Sequence, residues 1–249
     1  METDTAKSRD FVHNRKENIY MKSRMMNKAI FWDSDGTLLY GNESFAESFV
    51  KSCKEVGYEI SIEKARELMR DICSWYRPEI EHSNQDAEEW WKSLLSKIDN
   101  FCKEAGLKDK QISCILPSFR ENAINYDYKA YADANEILQH FKLQGFRNYI
   151  ISNNFPELNQ VFERLGLDKY ISGYITSAGA GYEKPNIKIF EIAKQMAEYP
   201  EICYMIGDNP KADYAGGKAA GMNTVLVHNQ SPECEHCCEC LSDLKAYIN

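Results

Sequence analysis

From residue 28 onward, apolar and polar positions follow two rhythms. The run KAIFWD, residues 28–33, is almost continuously apolar and closes on an acid. That pattern predicts a short strand covered on both faces. From Gly41 to about Tyr128 the rhythm is helical. Phe45, Phe49, Cys53 and Val56 fall on one helical face, as do Ile62, Ala65, Met69 and Ile72. Ala87, Trp90, Trp91, Leu94 and Ile98 repeat the pattern, and Ile112, Ile115, Phe119 and Ala123 repeat it again. Pro117 is expected to kink or split that last helix. Three or four amphipathic helices of this kind make a small bundle.

Beyond Tyr128, strands and helices alternate. Asp133 is placed to cap a helix, with Glu136 at the reciprocal capping position. Strands are expected at Arg147–Ser152, Ile171–Thr176, Ile202–Gly207 and Thr224–His228. Helices are expected near Glu157–Leu165, around Ile189–Met196 and over Pro210–Ala220, with a last one at Leu241–Ile248. This alternation predicts an α/β fold, a parallel sheet with helices on both faces, interrupted by the helical insertion.

Composition narrows the class. The chain has 249 residues, 43% hydrophobic and 27% charged, as expected of a globular protein. A net charge of −8 speaks against a nucleic-acid partner, and no apolar stretch approaches the roughly 18 residues that a membrane span needs. Residues 1–27 read as a polar extension without the apolar middle of a secretory signal. Cys53, Cys73, Cys102, Cys114 and Cys203 lie scattered in apolar patterns, which suits buried free thiols in a reducing cytoplasm. Cys234, Cys237, Cys238 and Cys240 crowd together near His228 and His236. They could ligate zinc, or belong to an exposed loop.

Ligands of parallel α/β sheets bind beyond the carboxyl ends of the strands. Asp33 and Asp35 stand two apart at the first strand end, so period-two alternation sends both side chains to the same side. Ser152 and Asn153 end the second strand. Asp208 follows a later strand, Asp213 lies five residues on, and Lys184 sits in a loop before a helix. Four carboxylates opposed by one lysine call for a further positive charge, and a hard divalent cation such as Mg2+ supplies it.

In order, DSDGT, ISN, KP and GDNPKAD resemble the motifs of the haloacid dehalogenase-like hydrolase superfamily. The resemblance implies a Rossmann-like core at 28–40 and 129–249, with a helical cap domain at 41–128. It implies that Asp33 is a nucleophile forming an aspartyl-phosphate. Asp35 would be the general acid and base, its backbone carbonyl also facing the metal. Ser152 and Lys184 would hold the phosphoryl oxygens, with Asn153 as a further phosphate-side candidate. Asp208 would bind Mg2+ together with Asp33. Asp213 would support the metal or orient Lys184, and Gly36 and Thr37 would form the turn after the nucleophile. Dehalogenases of the family lack the second aspartate, so Asp35 favours phosphate monoesters of small metabolites. A phosphotransferase or phosphomutase acting on sugar phosphates, or a non-catalytic binding module, are the alternatives. The expected protein is cytoplasmic, a monomer or homodimer. Trp75, Tyr76, Arg77, His82, Trp90 and Trp91 are the insertion's candidates for lining a substrate cavity or filling its core.

Overall fold

The computed structural model describes residues 27–77, 79 and 86–248. The polar extension, apart from Asn27, and His82 lie outside the described residues. Six parallel strands form one sheet in the order β3-β2-β1-β4-β5-β6. They are β1 (Lys28–Trp32), β2 (Phe146–Ser152), β3 (Ile171–Thr176), β4 (Ile202–Gly207), β5 (Asn223–Val227) and β6 (Cys237–Cys238). In register, Trp32 of β1 stands between Ile150 of β2 and Ile206 of β4. The chain leaves β1 for β2 on one side and returns to β4 on the other. That reversal opens a crevice at the carboxyl ends of the central strands.

Alternation along β1 divides the core. Ala29 and Phe31 pack with Tyr149, Ile151 and Met205 against the helix Ile187–Met196. Ile30 and Trp32 point to the opposite face, toward Ile137, Leu138 and Phe141 of the helix Ala134–Leu143. Both faces are therefore covered, which is why β1 reads as an unbroken apolar run. The buried Trp32 indole donates to Asn148 Oδ1 at 3.0 Å, and Asn148 Nδ2 donates to the Leu138 carbonyl at 3.0 Å. Satisfying both polar groups makes their burial tolerable.

Among the described residues, four α-helices fill the insertion, α1 (Ser44–Glu55), α2 (Ile62–Ile72), α3 (Ala87–Glu104) and α4 (Asp109–Ile124), with a 3-10 turn at Ser74–Tyr76. Phe45 of α1 meets Phe119 of α4 at 5.6 Å and Trp75 at 4.9 Å between ring centroids. Trp90 and Trp91 are buried, so these two fill the bundle core. Trp91 also ties the bundle to the sheet domain. Its ring lies 6.1 Å from Phe155, and its Nε1 donates to Glu157 at 2.9 Å.

Several local expectations are corrected. Helix α4 runs unsplit through Pro117, because Ile112, Ile115, Phe119 and Ala123 are all buried along one face and their packing outweighs the missing hydrogen bond. Asp133 makes no cap bond. Its Oδ2 accepts from both the amide and the hydroxyl of Ser242, while Glu136 pairs with Lys245 at 2.5 Å. The expected helix over 210–220 divides into a π-helical turn, Pro210–Ala215, and a short α-helix, Gly216–Ala219. Cys114 is exposed, whereas the other four scattered cysteines are buried. The C-terminal cysteines form no metal cluster among the described residues. Cys237 and Cys238 instead form the edge strand β6, where alternation sends neighbouring side chains to opposite faces.

Candidate active site

Asp33 follows β1 directly, and its amide donates to the Ile206 carbonyl at 2.9 Å, which holds the strand end against β4. The turn after it depends on Gly36, whose φ of +86° suits glycine. A Cβ there would lie 2.6 Å from Cγ of Asp208. The bare Cα is what lets the first strand end approach the acid that follows β4. Thr37 is fully buried, and its carbonyl faces His228 Nε2 at 3.2 Å.

The lysine loop closes on these acids. Lys184 Nζ donates to Asp33 Oδ1 at 2.7 Å and to Asp213 Oδ1 at 2.6 Å, with the side chain almost wholly buried. Asn153 fixes that loop from both directions. Its Nδ2 donates to the Lys184 carbonyl at 3.0 Å, and its Oδ1 accepts from the Lys184 amide at 2.6 Å. Burial alone would lower the ammonium's pKa. Asp213 and Asp33 outweigh it and hold the group above the usual lysine range.

Asp35 has a separate setting. Its carboxylate accepts from Ser34 Oγ at 2.8 Å, from Asn154 Nδ2 at 2.6 Å and from Asn42 Nδ2. Ser34 Oγ lies 2.7 Å from Ser152 Oγ, which places the second strand end beside the first. Burial, with the Asp33 charge added, lifts the Asp35 carboxyl to about 6 despite these donors. Burial and Asp33 likewise raise Asp208 to about 6. Burial also raises Asp213, against the pull of Lys184.

Carboxylate oxygens of Asp33, Asp208 and Asp213 lie within 4.8 Å of one another. Lys184 takes one oxygen from Asp33 and one from Asp213, and the Asn209 amide donates to the other Asp213 oxygen at 3.1 Å. This leaves Asp208 and Oδ2 of Asp33 for a cation. An all-oxygen set with excess negative charge fits a hard divalent ion.

A cavity of about 480 Å3 opens over this group, lined by Asp33, Asp35, Ser152, Asn153, Lys184, Asp208 and Asp213 together with Trp75 and Tyr76. The site residues expected from sequence thus share one rim; Thr37 lies in the turn beneath it. Of the insertion candidates, Trp75 and Tyr76 line the cavity, while Arg77 is exposed and borders none of the described cavities. Asn42, Asn154 and Ser34 are functional neighbours that motif reading passes over. Asn154 carries a usable signal. It lies two residues beyond Ser152, the same spacing that pairs Asp35 with Asp33.

A family model described as haloacid dehalogenase-like hydrolase matches residues 27–221. Fold, rim and match agree, and the chain belongs to the haloacid dehalogenase-like hydrolases. The glyceraldehyde 3-phosphate phosphatase of Methanothermobacter thermautotrophicus is 29% identical over 217 residues, 84% of this chain and 89% of that protein. Haloacid dehalogenase-like hydrolase domain-containing protein 3 of Homo sapiens is 25% identical over 218 residues, 83% of this chain and 84% of its own. In fold, the chain resembles the magnesium-bound HAD-hydrolase YfnB of Bacillus subtilis. The TM-score is 0.69 with 16% identity, covering 89% of this chain and 98% of that one. No helix among the described residues is long and apolar enough to cross a membrane.

Proposed function

We propose that this hydrolase is a Mg2+-dependent phosphatase that cleaves small phosphate monoesters through an aspartyl-phosphate on Asp33. The observation that carries the reading is the shared rim. A buried lysine bridges Asp33 and Asp213, while Asp35, with its raised pKa, stands two residues from Asp33 under its own set of donors. Asp33 attacks phosphorus through a carboxylate oxygen, and the bond to the ester oxygen breaks. Protonated Asp35 gives its proton to the departing alkoxide. The resulting carboxylate then takes a proton from water, which attacks the phosphoryl group and frees Asp33 and inorganic phosphate.

Lys184 and the Ser152 hydroxyl hold phosphoryl oxygens, and Asn153 serves that side by fixing the lysine loop. Mg2+, held by Asp33, the Asp35 carbonyl and Asp208, would neutralise charge on the transferring group. Thr37 supports the turn and Asp213 aligns Lys184. Residues 28–40 and 129–249 act as the core and 41–128 as its cap, with 1–27 a polar extension. The working form is a cytoplasmic monomer or homodimer acting on a phosphorylated metabolite. A named phosphatase among the relatives supports this reading, and so does the retained Asp35.

The test is release of inorganic phosphate from p-nitrophenyl phosphate with and without Mg2+. Wild type is expected to turn over only with the metal, and Asp33→Asn to lose at least ~10³-fold in kcat, since a nucleophile is irreplaceable on this route. Equal rates in the two proteins would overturn it.

A further inference from the structure

The phosphate-side cavity is not the whole of the concavity. A second cavity of about 420 Å3 adjoins it and shares Asp35, Trp75, Tyr76 and Asn153. If Asp35 protonates the leaving oxygen, this second space is where the rest of the ester lies. Cavities of ~300–1,000 Å3 accommodate ligands of drug size, so the space far exceeds what a two- or three-carbon leaving group fills.

Its walls are chemically specific. Trp75 and Tyr76 stand at the junction of the two cavities, their ring centroids 6.2 Å apart, and Tyr76 is 56% exposed. Trp75 packs edge-to-face with Phe45, their ring centroids 4.9 Å apart. Arg66, Met69 and Arg70 lie three and four apart on α2, so one helical face supplies another wall. Arg66 is already committed, with its Nη2 2.6 Å and its Nε 2.8 Å from the Glu43 carboxylate. The Arg70 side chain has no ion pair or hydrogen-bond partner among the described residues.

We infer, on the phosphatase reading above, that the leaving group is a nucleoside and the substrate a nucleoside monophosphate. The base stacks at Trp75 and Tyr76, and Arg70 meets its polar edge or its face. Flat bases are recognised by aromatic rings and guanidinium planes together. The Arg66–Glu43 pair beside Arg70 sets donors and acceptors in one wall, and a base edge carries both. A short carboxylate leaving group would leave the aromatic pair unused, and a bulky aliphatic one would leave Arg70 unmatched.

The experiment uses the full chain with Mg2+. Binding of uridine and adenosine 5′-monophosphates, glycerol 3-phosphate and phosphoglycolate to Asp33→Asn is measured by calorimetry, with tryptophan fluorescence as a second readout. Hydrolysis by wild type is measured in parallel. The nucleotides are expected to bind at least ~10-fold tighter than the ring-free esters and to quench tryptophan emission. Alanine replacement of a stacking ring loosens base binding by ~5- to 150-fold, so Tyr76→Ala and Arg70→Ala should each lower the selectivity ratio of nucleotide to glycerol 3-phosphate by ~10-fold. Tyr76 and Arg70 are exposed, so these variants are expected to fold even if Trp75→Leu does not. Hydrolysis of ring-free esters without nucleotide preference, or tighter binding of phosphoglycolate, would overturn the substrate class and leave the phosphatase standing. Selective nucleotide binding without turnover of any ester would support the subsite and overturn the phosphatase.

Discussion

Lys184 and Asp213 are joined by a 2.6 Å ion pair in which each side chain is only 2% exposed. The same ammonium reaches Asp33 at 2.7 Å. A charge removed from water this completely is held by its partners.

Removing one partner tests that dependence. Asp213→Ala leaves the lysine buried with Asp33 as its remaining partner; stripping a buried charge of its pairing altogether costs about 3–5 kcal/mol, which bounds the loss from above. Urea unfolding is expected to show a loss below that bound together with a large fall in kcat. Unchanged stability would mean that the pair holds nothing in place.

On the Mg2+ reading, the acids should make metal binding depend on pH. Asp35 and Asp208 are raised from 3.8 to about 6, and Asp213 is shifted the same way. A raised folded-state pKa means that the folded protein binds more protons than the unfolded chain between pH ~4 and ~6. Without a divalent cation, these groups therefore contribute stability at the acid end that is lost as pH rises through that window. A divalent cation held by these carboxylates would bind their ionised form, so its stabilisation should grow as pH rises. Thermal melts with excess Mg2+ or EDTA should differ more at pH 7.5 than at pH 5. A gap that stays constant or shrinks would count against this cluster as the metal site.

Gly36→Ala probes the approach of the two strand ends. The backbone at φ +86° disfavours a side chain, and the added carbon meets the Asp208 carboxylate. A left-handed conformation costs a non-glycine residue about 1–2 kcal/mol, and the clash displaces Asp208 besides. The expected result is a folded protein whose melting temperature no longer responds to Mg2+. Normal metal response and activity would show that the contact is dispensable.

Asn154→Ala removes a donor from Asp35. Asn154 favours the charged carboxylate, so its loss raises the Asp35 pKa further. If protonated Asp35 is the acid for the leaving group, the alkaline limb of the kcat profile should move to higher pH, so that kcat holds up further into the neutral range than in wild type. A profile with an unmoved limb would detach Asp35 from that role.

The helical rhythm between residues 41 and 128, the strand runs and the four motif segments were legible because they report local burial and local chemistry. Period-two spacing predicted that Asp33 and Asp35 share a side; both line the cavity, but they lie beyond Trp32, the last residue of β1, and the turn after it sets their positions. A strongly apolar run such as Ala29–Trp32 has few alternatives to a covered strand. What tertiary structure decided were pairings across long stretches of chain: Lys184 to Asp33, Asn154 to Asp35, Ser242 to Asp133. It also decided that Pro117 would sit inside an unbroken helix and that a pair of cysteines would add an edge strand. Propensity and periodicity act within a few residues, whereas these outcomes depend on which surfaces meet when distant segments pack, and only the folded chain sets that.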